Sequence, residues 1–265
     1  MVAHYVAKHF PRVLIETNQL APNMPEAEVA ARATRAFESS LMSIDATMRA
    51  LPEVESRQDQ SGSTSVMTLI SPGHIICANT GDSRAVMSRS GVCTELSFDH
   101  KPFNEGEKAR IEAAGSHVKF NRVNGDLAVS RALGDFVYKR REDVSAELQA
   151  VTAMPEMLTV ARDPNIDEFI VLACDGIWDV MSSQEVVDKV REMLVKGRPP
   201  PEPAEEGAAA QADGGEPEQP QPPRPWDLGA VCECLIDHCL RLGSRDNMSV
   251  IIVLLDQKLK PRTEA

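Results

Sequence analysis

The chain has 265 residues and 42% hydrophobic content, long for one domain, short for two, and enough to bury a substantial core. Lys and Arg number 28 against 40 Asp and Glu, a formal charge of −12, which argues against nucleic acid or an anionic membrane as the main partner. Residues 250–255, the longest apolar run near the end, fall far short of the roughly 20 residues of a membrane span, and the start shows no secretory pattern. A soluble, monomeric, intracellular protein of the cytoplasm or nucleus is therefore expected.

Val2, Val6 and Phe10, then Val29, Ala33, Phe37, Leu41, Ile44 and Met48, recur at three- and four-residue steps and predict two amphipathic helices in the first fifty residues. No glycine precedes Gly62. From Ser63 the pattern turns to β: T-S-V-M-T-L-I, a turn at Ser71-Pro72-Gly73, H-I-I-C-A-N, a turn at Thr80-Gly81-Asp82, then R-A-V-M-S, which together predict an antiparallel meander. Residues 103–114 read as a helix ended by Gly115, and 117–143 as mixed polar loops. Strands follow at 157–161, 168–174 and 248–255, with helices after Asp179 and at about 228–242. Residues 197–225 hold 9 of the 18 prolines and six acids against two arginines, the composition of a disordered, acidic, Pro-rich loop inserted in a single domain spanning 1–265.

F-I-V-L-A-C-D-G-I-W-D-V-M at 169–181 runs from an unbroken apolar strand into Asp175-Gly176, with Asp179 one helical turn later. Asp before Gly at a strand end also serves as a turn former or helix cap. Asp82 in N-T-G-D-S-R and Asp246 in G-S-R-D-N-M-S-V sit in similar places, so a packed β scaffold could bring the three carboxylates to one end of the sheets. Hard oxygen ligands of this kind select Mg²⁺ or Mn²⁺. The six cysteines read as buried thiols, since Cys232-Glu233-Cys234 lacks zinc spacing. His100, before Lys101-Pro102, reads as a stabiliser of a turn, with a proton donor as the alternative. Ser130 lacks a nucleophile-elbow pattern.

Six stretches, G-S-T-S-V (62–66), N-T-G-D-S-R-A (79–85), D-H-K-P (99–102), L-A-V-S-R-A-L-G-D (127–135), C-D-G-I-W-D (174–179) and S-R-D-N-M-S-V (244–250), occur in the order found in the metal-dependent Ser/Thr protein phosphatases of the PPM or PP2C type, which this sequence resembles over nearly its whole length. The resemblance implies an α+β fold: a central sandwich of two antiparallel sheets flanked by helices on both outer faces. It implies hydrolysis of phosphoserine and phosphothreonine in proteins by a metal-activated water, with two Mg²⁺ or Mn²⁺ ions and a weaker third. Asp175 and Asp246 match metal ligands, and Asp82 and Asp179 match acids of the third position. Gly176 and Asn247 stand beside the ligands, and Arg131 lies in the region that flanks the substrate, a phosphoprotein. The family's D-G-H-G-G motif, whose aspartate bridges both metals, and its phosphate-binding arginine have no counterpart here, so the N-terminal strands are expected to be missing and activity impaired. The competing expectation is a catalytically inactive phosphatase-like protein that binds partners.

Overall fold

The structure, a computed structural model, describes residues 1–196 and 228–255. The Pro-rich stretch 197–225 lies outside the described residues. In chain order the helices are α1 (Val2–Glu16), α2 (Glu26–Arg49), α3 (Pro52–Glu55), α4 (Glu105–Ala113), α5 (Asp175–Trp178), α6 (Ser183–Lys196) and α7 (Leu228–Arg241). The strands are β1 (Gly62–Ser63), β2 (Ser65–Ile70), β3 (His74–Thr80), β4 (Arg84–Arg89), β5 (Val92–Glu95), β6 (Val118–Lys119), β7 (Arg122–Val123), β8 (Leu133–Gly134), β9 (Glu156–Ala161), β10 (Asp167–Ala173) and β11 (Val250–Leu254).

Two antiparallel sheets carry the fold, one ordered β11-β10-β4-β5 and the other β2-β3-β9. The period-two alternation of strand side chains assigns each residue to a layer. Ile75 and Cys77 of β3 meet Ala85 and Met87 of β4 and Ile170 and Leu172 of β10 between the sheets. Ile76 and Ala78 turn outward under α1 and α2, where Val2, Val6, Phe10, Phe37, Leu41 and Ile44 cover them. Phe169, Val171 and Ala173 of β10 turn outward on the opposite side, under α5, α6 and α7. All seven residues of β10 are buried, as a strand paired on both edges and covered on both faces must be. The result is the expected sandwich with helices on both outer faces.

One expectation is overturned. β3 and β4 do not form a hairpin: β3 pairs with β2 and β9, whereas β4 pairs with β5 and β10 in the other sheet. Thr80-Gly81-Asp82-Ser83 is a corner at which the chain changes sheets, because Ile75 and Cys77 bury best against Ala85 and Met87 across the core rather than beside them. The polar stretch after α4 is ordered as well. It contains the β6–β7 hairpin, β8 paired to β1, and a small core of Ile111, Val123, Val129, Ala132 and Val151.

Candidate metal centre

The corner between the sheets is held from one side by the segment Asp99-His100-Lys101. Gly81 takes φ 121°, and a Cβ there would stand 2.4 Å from the Thr64 side chain, so both backbone angle and space call for glycine. The Gly81 N–H donates to His100 Nδ1 at 3.1 Å, and the His100 N–H donates back to the Gly81 carbonyl at 2.9 Å. Asp99 grips Arg84 through two bonds of 2.9 Å, and Lys101 Nζ donates to Asp82 Oδ2 at 2.5 Å. Three consecutive residues therefore hold Gly81, Asp82 and Arg84 in place.

His100 is 4% exposed, and its Nε2 has no hydrogen-bond partner, lying 3.5 Å from Glu156 Oε2. Burial, and then the nearby Arg131, push its pKa down to about 4, so at neutral pH the ring is uncharged and acts as an acceptor for the turn. That is the turn-stabilising role expected of it.

Asp175 opens α5 directly after β10, and Asp179 closes that short helix with its N–H on the Asp175 carbonyl at 2.8 Å. The loop carrying Asp246 is sewn to the same point. Ser244 Oγ donates to the Gly176 carbonyl at 2.7 Å, the Ser249 N–H donates to Cys174 Sγ at 3.1 Å, and the Cys174 N–H donates to the Ser249 carbonyl at 3.2 Å. A Cβ on Gly176 would come within 2.5 Å of the Asn247 carbonyl oxygen, so glycine is what lets the loop close. Asn247 gives its N–H to Asp246 Oδ1 at 2.6 Å.

Burial raises the Asp175 carboxyl above its usual range, and the carboxylates of Asp82, Asp246 and Asp179 each raise it further, with Lys101 opposing them. The four acids thus share one field, and one cation, the Lys101 ammonium, already lies in it. Its own pKa is raised: burial would lower it, but the hydrogen bond and charge of Asp82, with Asp99 and Asp175, outweigh that. Among the described residues no three His, Cys, Asp or Glu side chains stand close enough to enclose an ion by themselves. The four carboxylates are hard oxygen donors that repel one another, and a divalent cation among them would need water or another group to supply its remaining ligands.

Arg131 is committed elsewhere. It donates to Glu107 from Nε and Nη2, at 3.1 and 2.8 Å to Oε1, and from Nη1 to the Met154 carbonyl at 3.1 Å. Burial alone would raise Glu107, but the bonds and charges of Arg131, Arg110 and Ser130 carry it down to about 2. Ser130, fully buried, gives its hydroxyl to Glu107 at 2.5 Å and is no nucleophile. Neither Glu107 nor the Lys101 contact was legible in sequence, for one of three acids on a short polar helix and a single lysine carry no spacing signal. All six cysteines are free, as expected, but only Cys77 and Cys239 are buried and the other four are partly exposed. No helix among the described residues is long and apolar enough to cross a membrane.

A family model described as protein phosphatase 2C matches residues 1–248. A probable protein phosphatase 2C of Caenorhabditis elegans is 45% identical over 234 residues, covering 86% of this chain and 57% of that protein. The human protein phosphatase 1B is 41% identical over 227 residues, covering 86% of this chain and 41% of that protein. The chain spans about half the length of the curated relatives it matches. Among solved structures, a C. elegans sex determining protein superposes with a TM-score of 0.71 at 24% identity, covering 95% of this chain and 52% of that one. A serine-threonine phosphatase 2C from Toxoplasma gondii superposes at 0.65 and 22% identity, over 94% of this chain and 80% of that one. At such identities the superpositions show the fold.

Proposed function

The chain belongs to the protein phosphatase 2C family, and we propose that its clustered acids form part of a site for divalent-metal-dependent hydrolysis of phosphoserine and phosphothreonine in proteins. The observation that carries this reading is the shared field at Asp175, where three other carboxylates act on one half-buried acid. Asp175 and Asp246 would hold two Mg²⁺ or Mn²⁺ ions, and Asp82 with Asp179 would hold a weaker third. When bound, such ions supply Lewis-acid chemistry, acidifying water and neutralising phosphoryl charge.

The chain's own residues orient and support. Gly176 leaves room for the Asp246 loop, and Asn247 holds the Asp246 carboxylate by its backbone N–H. His100 stays neutral and keeps the Gly81–Asp82 corner rigid. Lys101 balances the charge of Asp82. Arg131, its donors spent on Glu107 and the Met154 carbonyl, braces the segment that would flank the substrate.

No D-G-H-G-G occurs in these 265 residues, so two ions held by the acids named above alone would bind with less compensation for their mutual repulsion. The chain as it stands is accordingly a weak hydrolase. Calorimetric titration of Mn²⁺ into the chain and into Asp175→Asn, with phosphate release from a phosphothreonine peptide followed in the same samples, tests both statements. Binding weakened about tenfold or more by the substitution supports the site, and superimposable curves remove Asp175 from it. Brisk Mn²⁺-dependent release by the unaltered chain overturns the claim of weak activity.

A further inference from the structure

A second site lies where the C-terminal end of α2 and the short α3 meet the segment after β8. An open cleft of about 260 Å³ there is lined by Arg49, Arg57, Arg140 and Phe136, and by the carboxylates of Glu55 and Asp59. Three guanidinium groups around one cleft stand out in a chain of net charge −12. Arg49 stacks over the Phe136 ring, 5.2 Å from its centroid, and spends a donor only on the Lys139 carbonyl, at 2.8 Å. Arg57 and Arg140 are exposed, and among the described residues neither is engaged in an ion pair. Arg57 is carried in left-handed backbone, φ 60°, which arginine rarely adopts. Of the two carboxylates, Asp59 takes the Ser61 N–H and hydroxyl, at 2.8 and 2.6 Å, and pairs with the N-terminal ammonium at 3.3 Å, while Glu55 is exposed on the cleft wall.

We propose that this cleft binds the phosphoryl group of a phosphopeptide, held by Arg49, Arg57 and Arg140, as a docking site separate from the acids at Asp175. Guanidinium groups recognise a dianionic, multi-oxygen group better than any other side chain does, and an aromatic floor keeps Arg49 in place for it. The site lies within reach of the candidate metal centre. Gln60, on the cleft wall, is four residues before Thr64, whose hydroxyl is 2.9 Å from that of Ser83, the neighbour of Asp82. Four residues span at most about 14 Å. A peptide carrying a second phosphate a few residues from the first could therefore engage both. This placement rests on the proposed phosphatase reading, but the binding itself does not.

The test is carried out in EDTA, which takes the metal centre out of the measurement. A fluorescein-labelled phosphothreonine peptide is titrated with the 265-residue chain and binding read as anisotropy. Expected are binding that weakens with added salt, a loss of about tenfold in Arg57→Gln/Arg140→Gln, and tighter binding in Glu55→Gln. Both arginines are exposed, so the double variant should fold, and circular dichroism checks that it does. Equal affinity in the double variant overturns the site, as does equal binding of the unphosphorylated peptide. Displacement by inorganic phosphate at the same concentration as by unlabelled phosphopeptide overturns the peptide as ligand. Mn²⁺ calorimetry at Asp175 judges the metal reading alone, so either proposal can fail without the other.

Discussion

Lys101 shows how much of the candidate centre turns on one side chain. Its ammonium sits 2.5 Å from an Asp82 oxygen, and Asp82 is buried while Asp179 and Asp246 face solvent. Any metal that uses Asp82 has to compete with this ion pair or tolerate a positive charge beside it. At the dielectric of a half-buried site a unit charge a few ångströms away is worth on the order of a few kcal/mol before water screens it. Lys101→Met is therefore expected to tighten Mn²⁺ binding by about tenfold, read by calorimetry, while lowering the melting temperature of the metal-free protein, because Asp82 is then buried without a counter-charge. A variant that melts earlier but binds Mn²⁺ as before would separate Asp82 from the metal altogether.

The elements explain which parts of this arrangement could be read from the chain. β10 was legible because a strand buried on both faces is apolar at every position, and α1 and α2 because their buried residues recur at helical steps. Asp175, Asp82 and Asp246 were legible because each interrupts such an apolar pattern. The sheet-changing corner was not: Thr80-Gly81-Asp82 looks the same in a hairpin and in a crossing, and only the packing of Ile75 and Cys77 against Met87 decides between them. The β6–β7 hairpin was missed because its turn places Phe120 and Asn121 at φ 52° and 61° with no glycine at either position. What holds the Asp246 loop was also hidden, because a glycine's neighbours are not written beside it. Gly176→Ala puts a methyl 2.5 Å from the Asn247 carbonyl and 2.9 Å from Met248 Cγ, and backbone cannot yield as a side-chain tip can. The loop must move, so this variant should lose Mn²⁺ affinity with a stability cost of about 1–3 kcal/mol by urea denaturation. Unchanged affinity would mean that Asp246 contributes little to the ion.

At the scale of the molecule, three titratable groups shifted by their surroundings contribute to how the layered fold responds to pH, and they do not act in the same direction. His100 titrates near 4 when folded against 6.5 when free, so the unfolded chain binds more protons between those values and stability falls as pH drops through them. Glu107, near 2 against 4.5, takes stability away in the same sense from 4.5 downward. Asp135 does the opposite. Burial first, then Asp45 and Asp126 against the pull of Lys139, raise it from 3.8 to about 6. Its folded carboxyl holds a proton that the unfolded chain has already lost, so its contribution is complete below 3.8 and disappears as pH rises through 6. Above that, the fold carries an ionised, partly buried carboxylate on a residue at φ 49°. Asparagine keeps the shape, tolerates that backbone angle and cannot ionise. Asp135→Asn should therefore stabilise the protein at pH 8 by about 1–2 kcal/mol, the full shift discounted for partial exposure. The gain should shrink towards zero near pH 4, where the native aspartate is protonated too. Urea midpoints of the two proteins at pH 8, 6 and 4 measure it. A gain of equal size at all three values would trace the effect to the left-handed backbone and not to the charge.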